Sequence, residues 1–188
     1  MPSNAYTQTL AAVLADAAEI EAAHRRLSTG SRGRQYGLGA LNRAVVVMCV
    51  SAWEAYLEEV MKEVLDRLKP PDPPLGVWLA WNATVRSAIG RFNNPNTQHS
   101  KDLMRDAIGL VDITTYWSWP RTAPQDATRR LEEAIQFRHQ TAHGTTPRPI
   151  IHKAYTRHLP GFFRKLGQRT DKGLSIHLST VYSITTGW

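Results

Sequence analysis

The stretch over residues 38–69 constrains the fold more than any other. Val46, Cys49, Val50, Trp53, Tyr56, Leu57, Val60 and Val64 recur at helical spacing and predict one long helix. Between residues 44 and 50 the pattern is apolar almost all round, so this part must be covered by other elements on most sides. Glu58, Glu59, Lys62 and Asp66 supply its outward charges, and Pro70-Pro71-Asp72-Pro73-Pro74 stops it. A helix of this kind needs a bundle around it.

The remaining chain supplies the partners. Residues 4–27 read as a first helix carrying Tyr6, Leu10, Leu14 and Ala17, closed by the loop Ser28-Thr29-Gly30-Ser31-Arg32-Gly33. A shorter helix over 77–89 holds Trp78 and Trp81 and breaks at Arg91-Phe92-Asn93-Asn94-Pro95-Asn96. Ser100 or a neighbour then caps a helix that runs to 108. Residues 111–120 are β-prone but have no partner strand, and they predict an aromatic-rich connection packed on the core. A helix opens at 123–125, and a basic one spans 151–168 with a kink or restart at Pro160. The tail over 174–184 alternates and is expected to form a short strand or hairpin. The expected architecture is an all-α bundle of four to six helices with one long central helix and a small irregular or β-like C-terminal tail. At 188 residues, one domain with a sizeable core is expected. Its parts would be an N-terminal helix and loop (1–35), a core (36–145) and a basic helix and tail (146–188).

Charge and cysteine usage narrow the setting. Lys and Arg number 23 against 16 Asp and Glu. From Arg138 onward the basic residues are Arg138, Arg148, Lys153, Arg157, Arg164, Lys165, Arg169 and Lys172, with Asp171 the only acid. Arg25, Arg26, Arg32 and Arg34 form a second cluster. Such patches attract polyanions, nucleic acid first, although a solubilising surface reads the same. The lone Cys49 lies in the most apolar run and allows no disulfide within the chain, which fits a reducing compartment. The N-terminus has neither a basic n-region nor an apolar h-region, and no run is long enough to span a bilayer. A cytoplasmic protein without a membrane partner is expected.

One helix breaks its own pattern. It closes on Gln136-Phe137-Arg138-His139-Gln140-Thr141-Ala142-His143-Gly144. At about 100° per residue, Ala127, Leu131, Ala134, Ile135 and Ala142 project into one stripe, and Arg138 falls in its middle. An arginine there is costly unless a carboxylate, phosphate or subunit interface receives it, and Glu54 is an available carboxylate. His139 flanks the stripe, and His143 stands beside it one turn on. Gly144 ends the helix and leaves His143 at the negative end of the macrodipole. An ion pair and a helix-end cap are the ordinary roles of such residues. No third ligand lies near the two histidines, so no metal site is expected. No phosphate-cradling glycine motif, HExxH pattern or cysteine pair appears, so no cofactor is expected. The pairs Glu58-Glu59 and Glu132-Glu133 are assigned to solvated faces. Trp53, Trp78, Trp81, Trp117 and Trp119 are assigned to packing, and His152, His158 and His177 to the surface or an RNA-facing side.

The spacing Arg138-x4-His143, with a polar residue directly after the arginine, resembles the active motif of the HEPN superfamily of all-α ribonucleases. Arg138-His139-Gln140-Thr141-Ala142-His143-Gly144 is similar in spelling to the RiboL-PSP-type HEPN group. Three further stretches resemble that group: Ser51-Ala52-Trp53-Glu54-Ala55-Tyr56-Leu57, Phe92-Asn93-Asn94-Pro95-Asn96, and Gly109-Leu110-Val111-Asp112-Ile113. Together they cover roughly residues 40 to 145. The resemblance implies a metal-independent endoribonuclease acting as a homodimer, the motifs of both chains meeting in one cleft. It also implies a role in toxin–antitoxin or anti-phage defence, with an antitoxin or defence-system partner. RNA carries its own nucleophile, the 2′-hydroxyl, so the protein need only manage protons and charge. His143 would serve as general base or acid, and Arg138 would hold the scissile phosphate. His139 would orient His143, contact substrate or carry a second proton. Arg148, Lys153, Arg157, Arg164 and Lys165 would track the RNA backbone, and the product would end in a 2′,3′-cyclic phosphate. The competing expectation is a non-catalytic helical module that binds RNA or protein and retains the motif. A third is an interaction subunit neutralised by an antitoxin.

Overall fold

The computed structural model describes residues 1–28, 38–70, 75–144 and 149–188. Six α-helices follow in order: α1 (Ala11–Leu27), α2 (Leu38–Arg67), α3 (Leu75–Gly90), α4 (Thr97–Ile108), α5 (Pro124–Ala142) and α6 (Lys153–Tyr182). A π-helical stretch, Ala5–Leu10, leads directly into α1, and a 3-10 turn, Ile113–Tyr116, lies between α4 and α5. The described residues form an all-α bundle, and the only β-type pairing among them is an isolated bridge between Trp119 and Thr122. None of their helices is long and apolar enough to cross a membrane. The linker residues 29–33 and the prolines at 71, 73 and 74 lie outside the described residues.

α2 is the axis of the bundle, as its pattern predicts. Every member of its apolar stripe is buried, with Trp53, Tyr56 and Leu57 at zero exposure. Trp53 stacks on Tyr56 with ring centroids 5.4 Å apart and meets Trp117 edge-on at 6.0 Å. Its indole N–H donates to Pro95 O at 3.1 Å, so the loop before α4 is fastened to the core. Trp117 donates to Thr170 Oγ at 2.9 Å and links the aromatic connection to α6.

Two expectations are corrected. The cap of α4 is Asn96, whose side chain accepts from the His99 N–H at 2.7 Å. Ser100 is buried inside the helix, its hydroxyl donating to Asn96 O at 2.8 Å. The tail is no strand or hairpin: α6 runs for 30 residues, through Pro160 without a restart, to Tyr182. Asp171, Leu174 and Leu178 share a buried face at helical spacing, and this outweighs the two-residue alternation of Leu174, Ile176 and Leu178. Two glycines let neighbours approach that face. A Cβ on Gly167 would overlap Leu10 Cδ2, and one on Gly173 would stand 2.8 Å from the Tyr116 ring and from Ile113 Cδ1.

The chain's start is tied to α6 through a buried carboxylate. The Ser3 N–H and hydroxyl donate to Asp171 at 2.8 and 2.9 Å, and the Tyr56 hydroxyl donates to it at 2.7 Å. Burial raises the Asp171 pKa, against the lowering effect of these donors. Glu63 of α2 accepts from the Asn4 and Ala5 N–H groups.

Candidate active site

α5 positions the motif because its buried stripe is short. Ala127, Leu131, Ala134 and Ile135 are buried, Arg138 is half-buried, and Ala142 is exposed. The expected stripe therefore leaves the core one turn before the helix ends. Phe137 meets Tyr155 of α6 edge-on at 5.3 Å, and Arg130 lies over the Phe162 ring at 5.0 Å. On another side, Glu132 accepts from the Thr97 N–H at 2.8 Å and holds α5 to the start of α4. With both flanks fixed, Arg138 is directed at α2.

Glu54 receives it. Arg138 Nη2 lies 3.6 Å from Glu54 Oε2, with side-chain exposures of 24% and 17%. That separation is an ion pair beyond hydrogen-bond reach. Burial raises the Glu54 pKa, and Arg138 opposes the rise. No second subunit is needed to receive the arginine. Among the described residues the guanidinium makes no hydrogen bond, so its donors remain open to a phosphate or carboxylate.

His139 and His143 stand side by side at the end of α5. Their rings are 5.7 Å apart between centroids and 21° from parallel. The His143 N–H donates to His139 O at 2.9 Å, and Gly144 follows with φ 63°, the left-handed conformation that ends the helix. Neither ring nitrogen pair has a hydrogen-bond partner among the described residues, so the contact between the two histidines is ring stacking alone. Among the described residues no group of three His, Cys, Asp or Glu is arranged to hold a metal ion.

The basic residues of α6 divide. Lys153, Arg157, Arg164 and Lys165 are all exposed. At about 100° per residue the first three fall within roughly 40° of one another, while Lys165 is turned well away from them. Lys165 donates to Gln168 at 3.3 Å. Arg148, Arg32 and Arg34 lie outside the described residues. His152 and His158 are exposed, whereas His177 is structural, its Nε2 2.8 Å from Ile108 O and its ring against Tyr182.

Helix ends gather the cations. Asn42 of α2 donates to Ile151 O at 2.8 Å just before α6 begins, and Lys153 acts electrostatically on His24 near the end of α1. Ile20 of α1, Arg43 of α2 and Thr141 of α5 line one groove. The end of α1, the start of α2, the end of α5 and the start of α6 therefore meet at one end of the bundle. Arg25, Arg26, Arg43, Lys153, Arg157 and both motif histidines lie there, and Arg25 is paired with Glu21 at 3.0 Å. Arg43 and Thr141 were not singled out by sequence, because their importance comes from three helices converging rather than from any local pattern.

Comparison with known proteins finds no matching family model, no matching curated protein and no matching solved structure.

Proposed function

We propose that this chain is a metal-independent endoribonuclease that cleaves RNA by attack of the 2′-hydroxyl on the adjacent phosphate. The observation that carries the reading is the end of α5, where an arginine held among the described residues by charge alone stands within two turns of two imidazoles without a hydrogen-bond partner among those residues. Arg138 binds the scissile phosphate and offsets charge that grows on its oxygens. His143 takes the 2′-hydroxyl proton as the new P–O2′ bond forms. His139, stacked beside it, returns a proton to the departing 5′-oxygen as the P–O5′ bond breaks. The products are a 2′,3′-cyclic phosphate and a 5′-hydroxyl, with no net oxidation.

The convergence of Arg25, Arg26, Arg43, Lys153 and Arg157 at the same end supports a polyanionic substrate, since these cations release counterions from a phosphate backbone. The resemblance to RiboL-PSP-type HEPN proteins adds a homodimer, a cytoplasmic setting and a defence role with an antitoxin partner to the proposal. A test of the chemistry is a single 2′-deoxynucleotide placed at a mapped cleavage site. The proposal expects that bond to become resistant while neighbouring sites are cut as before. Undiminished cutting there would exclude attack by the 2′-hydroxyl.

A further inference from the structure

A groove of about 510 Å³ lies beside the motif, lined by Ile20 of α1, by Arg43, Ala44, Val47 and Met48 of α2, and by Thr141 of α5. Its size suits a nucleobase with its ribose, within the range of small-molecule sites. Most of its walls are apolar, but two polar groups break the pattern. Arg43 is half-buried and has no ion pair or hydrogen bond with a described residue. The Thr141 hydroxyl oxygen is buried beneath the groove wall and has no hydrogen-bond partner among the described residues.

Position connects the groove to the reacting centre. Thr141 follows Arg138 by three residues, so the two stand on neighbouring parts of the α5 surface. Along α2, Val47 precedes Glu54 by seven residues, roughly 10 Å at the helical rise. A strand whose phosphate sits on Arg138 therefore reaches the groove within about one or two nucleotides. Apolar side chains that accept a base face, beside a cation that pairs with no described residue and can meet a flanking phosphate, form a combination that single-stranded RNA recognition uses.

We propose that this groove is the base-binding subsite that sets the cleavage sequence, with its apolar walls taking the base face and Arg43 holding the adjoining phosphate. The inference rests on the ribonuclease reading for its function but not for its occupant. Charge complementarity favours RNA, because Arg43 pairs with no described residue and stands at an end of the bundle already rich in cations.

The test uses the whole chain, three variants and a pool of short random RNAs. Wild type is expected to show a base preference one or two nucleotides from the cut. Val47→Ala is expected to change that preference by widening the groove, Met48→Trp to abolish it by filling the groove, and Arg43→Ala to raise KM about tenfold with kcat held. Val47→Ala and Arg43→Ala keep the test valid if the tryptophan disturbs folding. Photo-crosslinking with 5-iodouracil RNA reports on occupancy independently of cleavage, and crosslinks at Ala44, Val47 or Met48 are expected. Crosslinks there without cleavage would remove the ribonuclease reading and keep the base site. Unchanged preference in all three variants would overturn the proposal, as would crosslinks confined to α6. Dissociation of a dimer by Met48→Trp, seen by sedimentation, would also overturn it and assign the groove to a second copy.

Discussion

The Arg138 guanidinium stands 3.6 Å from the Glu54 carboxylate, close enough to be held and too far to be hydrogen-bonded. Both side chains are largely buried, so removing either leaves a charge without its partner. In urea denaturation, Glu54→Gln and Arg138→Gln should each destabilise the protein. The double variant should lose less than their sum, with a coupling of about 1 kcal/mol. Strict additivity would mean that the pair contributes nothing to the position of Arg138.

The two glycines on the buried face of α6 should respond differently from the exposed one. Gly173→Ala forces a methyl group against the Tyr116 ring and Ile113, and about 1–3 kcal/mol of destabilisation is expected from the overpacking. Gly161→Ala meets nothing within 4 Å and should stabilise α6 by up to about 1 kcal/mol through helix propensity. Thermal melts of the two variants should move in opposite directions.

Acid should weaken the junction of α1 with α6. Burial, with repulsion from Lys153, lowers the His24 pKa from 6.5, while Glu21 pulls the other way. Just below 6.5 the unfolded chain therefore binds more protons than the folded one. His24 thus withdraws stability as pH falls from 6.5 to its folded value, and withdraws no more beneath it. The urea midpoint of wild type should fall further between pH 8 and pH 5.5 than that of His24→Gln. Equal falls would remove His24 from the acid response.

Asp171 should be intolerant of an isosteric amide. Three donors, the Ser3 N–H, the Ser3 hydroxyl and the Tyr56 hydroxyl, converge on its carboxylate. In Asp171→Asn one of those oxygens becomes a donor, and a loss of about 1–3 kcal/mol is expected. Hydrogen exchange at the start of the chain, where Ser3 is tied down, should accelerate in the same variant.

The elements that were legible in the sequence are those whose signals are local. α2 announces itself through an uninterrupted apolar stripe, and α5 through a stripe that Arg138 interrupts. Glu54 could be named as the arginine's partner because a misplaced charge in a stripe demands a carboxylate nearby. The end of α6 was not legible. Leu174, Ile176 and Leu178 fit a strand as well as a helix, and the choice is made by contacts from distant parts of the chain. Those contacts are Leu10 and Tyr6 against Gly167, Tyr116 against Gly173, and Ser3 on Asp171. The cap of α4 lies one turn before Ser100: Ser100 and Asn96 are both good capping residues, and only the His99 N–H shows which one acts. The groove at Arg43 and Thr141 is assembled from three helices and has no signature in any one of them.

The most direct test of the proposed function is RNA cleavage in EDTA by purified wild type and by His143→Ala, with the folds matched by circular dichroism and the product ends analysed. The account predicts cleavage by wild type that leaves 2′,3′-cyclic phosphate ends, and a loss of about 10²–10⁴-fold in rate for the variant. Cleavage that persists undiminished in His143→Ala would contradict it.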